Sequence, residues 1–264
     1  MILLNNKEIE SRVFPDGTYH ISVDLTNEMI YESAATISWF YDSENELSFM
    51  FYLTRHLQDN GIKDIDLILP YVPNARQDRV RENSEIFTLK YFCEIINFLN
   101  FNKVFILDPH SPVTPALLKN VVCLSPCPNI AKVINEIDDE NLLLFYPDEG
   151  SMKRYSDFLK REYAFGIKER DWKTGKILGL NIGGCAEKIK DSNILIVDDI
   201  CGSGDTFYYS AKLLKEHGAK DIYLYASHCE NRVTNEKLLK SGLIKKLYTT
   251  KTICREQNDL IKFV

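Results

Sequence analysis

Short apolar, β-branched runs alternate along this chain with stretches whose apolar residues recur every three or four positions. The runs IDLILP (65–70), KVFILD (103–108), NLLLFY (141–146), YAFGI (163–167), NILIVDD (193–199), DIYLYAS (221–227) and KKLYTT (245–250) predict strands. Several are apolar throughout, the mark of strands buried on both faces. Between them, ELSFMFYLTRHLQDNG, EIFTLKYFCEIINFLN, NIAKVINEI, MKRYSDFLKR, TFYYSAKLLKEHGA and RVTNEKLLKSG predict helices. Several of these close on Gly, Asn-Gly or a basic residue, as helix C-termini prefer. Doubly buried strands separated by helices predict an α/β protein with mainly parallel sheets.

The strand–helix pattern runs through twice, and the two prolines of SPCPN (125–129) interrupt it. A domain boundary is expected there, giving domains 1–125 and 126–264. DWKTGKILGLNIGG (171–184) predicts a β-hairpin flap with Thr174-Gly175 at its tip. The chain's 264 residues, 45% of them hydrophobic, provide core enough for one large domain or two small ones. Lys+Arg 32 against Asp+Glu 38 leaves a net charge of −6, which argues against the broad basic face of a sequence-independent nucleic-acid binder. A small anionic substrate needs only a local basic cluster. No basic region followed by a long apolar run opens the chain, and no window approaches the roughly 20 apolar residues that span a bilayer. The seven cysteines are scattered, with no second pair to complete a zinc site. Reduced thiols in a cytoplasmic protein, with no membrane partner, are expected.

The most informative segment is ILIVDDICGSGDTFYYSAKLLKEHGA (194–219). An apolar strand delivers Asp198 and Asp199 at its carboxyl end, a Gly202-Ser203-Gly204 loop follows, and a helix begins near Thr206. Ligands of open α/β sheets bind beyond the carboxyl ends of strands. Loop amides, the hydroxyls of Ser203 and Thr206 and a helix N-terminus make a phosphate cradle. Paired carboxylates beside it suit vicinal sugar hydroxyls or a magnesium ion. A glycine-rich turn with an aspartate N-cap would explain the glycines but not two aspartates ending a strand.

This segment resembles the phosphoribosyl-diphosphate motif of the phosphoribosyltransferase fold, and other segments narrow the resemblance. LILPYVPNARQDRV (67–80) is similar to the ATP-contacting loop of the ribose-phosphate diphosphokinases, or phosphoribosyl-diphosphate synthetases, and supplies Arg76, Gln77, Asp78 and Arg79. Arginine suits that task because its planar fork grips phosphate oxygens at two points. The resemblance implies two similar phosphoribosyltransferase-like, Rossmann-like domains. It further implies that His110 of KVFILDPHSP and Asp148 of FYPDEGS face a catalytic Mg2+. Lys168 and Arg170, whose alternation lets both point from one strand face, match the pair that stabilises the migrating diphosphoryl group. Phe14 and Asp16 of FPDG match the adenine-contacting segment, which the family presents to a neighbouring subunit. Asp198 and Asp199 would hold ribose hydroxyls, and Gly202, Ser203, Gly204, Asp205 and Thr206 the 5-phosphate. The partners implied are ATP and a ribose 5-phosphate-containing substrate, in a homodimer or larger homo-oligomer.

Three departures bear on specificity. The family's opening strand–helix unit and closing helix have no counterpart here, which suggests a shortened member with altered regulatory and oligomer contacts. Thr18 stands where an acidic residue usually ends the adenine segment, which suggests looser purine selection. The loop reads ICGSGDT, with Gly202 for the usual aspartate and Asp205 for the usual glycine. A carboxylate at 205 is unfavourable beside a phosphate unless it points outward or caps the helix. The expected reaction is diphosphoryl transfer from ATP to ribose 5-phosphate; an alternative acceptor is a 5-phosphate conjugate such as ADP-ribose. A nucleobase phosphoribosyltransferase would have no use for the 76–79 loop, and a non-catalytic subunit no use for Lys168 and Arg170.

Overall fold

The computed structural model describes residues 1–170, 177–235 and 237–264, and the side chains of 168–170, 177–180 and 235 fall outside that description. The chain divides into two compact units, Met1–Ser125 and Pro126–Val264.

The first unit opens with β1 (Ile2–Leu4) and β2 (Lys7–Glu8), followed by a separate antiparallel ribbon of β3 (Ser11–Val13) and β4 (Tyr19–Ile21). Helix α1 (Asn27–Glu32) leads into β5 (Ala34–Trp39), α2 (Glu46–Asp59), β6 (Asp64–Ile68), α3 (Thr88–Phe98), β7 (Lys103–Leu107), α4 (Val113–Leu117) and β8 (Val121–Leu124). The sheet order is β2-β1-β5-β6-β7-β8, with β5 to β8 parallel and β1 antiparallel to both its neighbours. Alternate residues of the central strands are buried on one face, Ile65 and Leu67 in β6 and Val104 and Ile106 in β7. They pack into one core with Met50, Leu53 and Leu57 of α2 and Leu89, Phe92 and Ile96 of α3. Each such side chain, withdrawn from water, stabilises the unit by about 1.5–3 kcal/mol.

The second unit contains α5 (Cys127–Ile137), β9 (Leu143–Tyr146), α6 (Glu149–Leu159), β10 (Tyr163–Arg170), β11 (Ile177–Gly184), β12 (Ile194–Cys201), α7 (Asp205–Glu216), β13 (Ile222–Cys229), α8 (Lys237–Lys240), β14 (Lys246–Thr249) and β15 (Ile261–Phe263). Its sheet order is β11-β10-β9-β12-β13-β14-β15, parallel throughout except for the β10–β11 hairpin. The hairpin is the flap expected from 171–184, begun earlier because β10 runs on to Arg170; residues 171–176, with the expected Thr174-Gly175 tip, lie outside the described residues. Both faces of this sheet are covered, which explains why its strands read as unbroken apolar runs. Ile194 and Ile196 of β12 pack with Phe207, Ala211 and Leu214 of α7. Leu195 and Val197, on the other face, pack with Ile130 and Val133 of α5 and Tyr155 of α6.

Candidate active site

In the second unit's sheet the winding reverses between β9 and β12: the chain runs outward from β9 to β10 and β11 on one side, and from β12 to β13 on the other. Such a reversal opens a crevice at the carboxyl ends of the two strands. Asp148 follows the end of β9 and caps α6. Its Oδ1 accepts from the backbone N–H groups of Gly150 at 3.0 Å and Ser151 at 3.1 Å, and the Ser151 hydroxyl returns toward the Asp148 N–H. Asp198 and Asp199 lie near the end of β12. Asp199 is buried, and its Oδ2 stands 2.8 Å from Nη1 of Arg154 on α6. Asp198 accepts at Oδ1 from the Asp199 N–H, 3.0 Å away. Burial first, then the charge of Asp199 and a hydrogen bond with it, then the charge of Asp148, push the Asp198 carboxyl well above the usual carboxylate range.

The 202–204 bend joins β12 to α7. Gly204 is the helix N-cap, with φ +84°, and no side chain caps the first turn. The left-handed φ favours glycine, and a Cβ there would press on Cβ and Cδ2 of Leu238 in α8 at 3.0 Å. The first turn of α7 therefore keeps donors for an anion. Asp205 is the first helical residue; it is exposed and accepts from the Ser203 hydroxyl at 2.9 Å. Its carboxylate thus points outward and engages one hydroxyl of the cradle, and Thr206 is exposed beside it.

In the first unit, the 76–79 segment and His110 emerge beyond the carboxyl ends of neighbouring parallel strands, β6 and β7. Buried Val72 and Ala75 anchor the first loop, and Asn74 takes the left-handed φ of +62° that turns the chain outward. Arg76, Gln77 and Arg79 are exposed. The Gln77 Oε1 accepts from the Thr88 hydroxyl at 2.5 Å, and Arg79 Nε is 4.0 Å from the Asp78 carboxylate. His110 is half-buried in the bend before α4, after the buried Asp108.

Phe14 and Asp16 sit at the tip of the β3–β4 ribbon. Phe14 is 49% exposed and meets the His20 ring edge-on. Asp16 Oδ1 accepts from the Thr18 N–H at 3.0 Å and the Thr18 hydroxyl at 2.7 Å, which lowers the Asp16 pKa. Thr18 thereby orients Asp16.

Lys168 and Arg170 lie on the backbone of β10, opposite Leu180 and Ile177 of β11, and their side chains lie outside the described residues. Asp148 and the 198–206 segment share one strand-end crevice with Arg154. The sequence offered no pointer to Arg154, because its partner is far along the chain and only the β9–β12 pairing brings α6 beside β12. All seven cysteines are free thiols, and burial pushes Cys93 up to about 12. Among the described residues no helix is long and apolar enough to cross a membrane.

The phosphoribosyl transferase domain model matches residues 167–252. Ribose-phosphate pyrophosphokinase from Thermococcus kodakarensis is 30% identical over 228 residues, covering 84% of this chain and 77% of that protein. The Saccharolobus solfataricus enzyme of the same name is 27% identical over 263 residues, covering 96% of this chain and 87% of its own. Phosphoribosylpyrophosphate synthetase from Mycobacterium smegmatis has a similar fold, with a TM-score of 0.80 at 18% identity over 97% of this chain and 85% of that one.

Proposed function

This chain belongs to the ribose-phosphate pyrophosphokinase family, and from that membership we propose that it transfers the β,γ-diphosphoryl group of ATP to the anomeric hydroxyl of ribose 5-phosphate, releasing AMP. The observation that carries the site assignment is the strand-order reversal, which gathers Asp148, Asp198, Asp199 and the Gly204 cradle at one strand-end crevice. The proposal assigns the two units, 1–125 and 126–264, to the family's two phosphoribosyltransferase-like domains. It also places the enzyme in the cytoplasm as a homo-oligomer, in which Phe14 and Asp16 reach the adenine.

In this reading the 202–206 loop holds the 5-phosphate while Asp198 and Asp199 orient the ribose. Arg76 and Arg79 hold ATP phosphates, Gln77 and Asp78 shape that loop, and Lys168 with Arg170 neutralise charge on the transferring group. Catalysis is mainly positioning and electrostatic stabilisation, as phosphoryl transfer requires. A divalent cation fits the second unit's crevice, because Asp148 and Asp199 both raise the Asp198 pKa and a cation would offset that crowding. Among the described residues no three His, Cys, Asp or Glu side chains already converge as a metal site. Mg2+ keeps waters and substrate phosphates and takes only one or two protein ligands. His110 in the first unit and Asp148 in the second are each assigned as a ligand for a divalent cation, which would supply charge neutralisation of the phosphates of ATP.

A second reading keeps the transfer and changes the acceptor to a conjugate such as ADP-ribose. The Ser203–Asp205 hydrogen bond motivates it, because a cradle hydroxyl that donates to Asp205 is one donor fewer for a terminal phosphate dianion, which needs more of them than the singly charged phosphate of a diphosphate link. Incubation with ATP, Mg2+ and each acceptor, with AMP release followed, separates the two. Release with only one acceptor selects it, and release with neither overturns the diphosphokinase reading.

A further inference from the structure

We infer that Arg154 is a positioning residue for the acceptor: it fixes Asp199 in one orientation at the end of β12, so that the acidic pair meets the ribose with one carboxylate already set. The inference rests on reading the 198–206 segment as the acceptor site, and it adds a residue on a different element.

Successive side chains of a strand point to opposite faces. Leu195 and Val197 face α5 and α6, whereas Ile194 and Ile196 face α7. By the same alternation Asp199 turns toward α6, where Arg154 Nη1 stands 2.8 Å from its Oδ2. The Asp199 side chain is 5% exposed and that of Arg154 25%. A carboxylate so withdrawn from water stays charged only with a close opposite charge. The guanidinium supplies it at ion-pair distance, and its delocalised, weakly hydrated charge suits a partly buried pair better than a lysine ammonium does.

Arg154 is itself held. Its guanidinium carbon lies 5.8 Å from the Tyr155 ring centroid, and Tyr155 is buried in the core of that face. The helix bearing it is fixed at its start by the Asp148 capping box. One rigid element thus carries Asp148 at its N-terminus and the partner of Asp199 further along, so the carboxylates at the ends of β9 and β12 are tied through α6. Protein groups that orient a binding carboxylate act through it, and their loss costs binding or turnover rather than fold alone.

Calorimetric titration with ribose 5-phosphate and, in parallel, ADP-ribose in the presence of Mg2+ tests this without requiring turnover. The wild-type protein, Arg154→Ala, Arg154→Lys, Asp199→Asn and the double variant Arg154→Ala/Asp199→Asn are compared, with ATP titrated as a control. Arg154→Ala should weaken the acceptor about 10- to 100-fold, Arg154→Lys should weaken it less, and ATP affinity should hold. The double variant should bind no worse than the weaker single variant, because the two side chains act as one unit. Should Arg154→Ala lose its circular-dichroism signature of folding, Arg154→Lys and the double variant, which leaves no unpaired buried charge, carry the comparison. Acceptor binding unchanged in folded Arg154 variants, equal loss of ATP and acceptor, or additive losses in the double variant would overturn the role. A wild-type protein that binds neither acceptor sinks the acceptor-site reading itself, and this role with it.

Discussion

The two units use one architecture to different ends, and the difference lies in strand order. In the first unit β5, β6, β7 and β8 follow one another across the sheet, so each crossover advances in the same direction. In the second the winding reverses between β9 and β12. A sheet that winds one way presents separate loops at its carboxyl edge; a reversal parts two loops and leaves a crevice between adjacent strand ends. The first unit accordingly offers exposed cations on a turn, Arg76 and Arg79, anchored from below by Val72 and Ala75. The second builds a partly buried set of Asp148, Arg154, Asp198 and Asp199, whose charges act on one another. Exposed cations suit a flexible polyphosphate, whereas a preorganised acidic crevice suits a small sugar whose orientation decides the reaction.

That contrast predicts that substitutions in the two units separate kinetically. Lys168→Ala, in the second unit's hairpin, should have the largest effect: kcat lower by about 10²–10³, the scale for losing one group that stabilises developing charge, with ATP affinity kept. Steady-state AMP release and equilibrium ATP binding on the same protein decide it, and unchanged turnover removes Lys168 from the chemistry. Arg76→Ala, in the first unit, should raise the KM for ATP by about tenfold, the loss of one charge-assisted hydrogen bond. The KM of the acceptor should stay near its wild-type value. A rise in acceptor KM alone would reverse the division between the units.

The same contrast governs what could be read from the sequence. The fold class was legible because the second unit's strands, covered on both faces, appear as unbroken runs such as ILIVDD. The first unit hid more. β5, AATISW, starts with small residues and carries Thr36 and Ser38, so it lacks an apolar run, although Trp39 at its end is fully buried. The short strands β1, β8 and β15 and the β3–β4 ribbon have too few residues for periodicity to stand out. Asp198 and Asp199 were legible because acids ending an apolar run are incongruous. Arg154 was not, since an arginine on an amphipathic helix looks like any solvated charge until pairing of β9 with β12 gives it a partner. Asp148 was read for its chemistry alone, and its capping of α6 became visible only with the helix start. Asp205 showed the reverse: the sequence posed the conflict between its charge and the cradle, and the structure answers it with the Ser203 hydroxyl.

Two glycines sharpen the comparison at the level of stability. Gly17 in the first unit and Gly204 in the second both have φ +84°. A Cβ at Gly17 meets nothing within 4 Å, so Gly17→Ala should cost only the left-handed backbone, about 1–2 kcal/mol. Gly204→Ala adds the collision with Leu238, about 1–3 kcal/mol more. Thermal unfolding of both variants should show Gly204→Ala melting lower, by about 2–4 °C for each additional kcal/mol. Equal melting temperatures would mean that α8 yields easily.

The smallest effect expected is also the one most specific to the crevice. Because the folded protein raises the Asp198 pKa above the usual carboxylate range, it holds that proton more tightly than the unfolded chain does. The stability contributed by the protonated acid is therefore present below the unfolded-state pKa and lost as pH rises through the folded-state pKa. Asp221, paired with Lys245, and Glu136, paired with Lys262, have lowered pKa values and act in the opposite sense, losing stability as pH falls. Asp198→Asn abolishes the first contribution and leaves the other two. In metal-free buffer its melting temperature relative to wild type should rise as pH increases from about 4 toward neutrality, by about 2–4 °C per kcal/mol of relieved crowding. The advantage should shrink when Mg2+ is added, because a cation in the crevice offsets the same charges. A difference independent of pH would show that Asp198 is not the strained member of the pair and that the contrast between the two sheet edges rests on geometry alone.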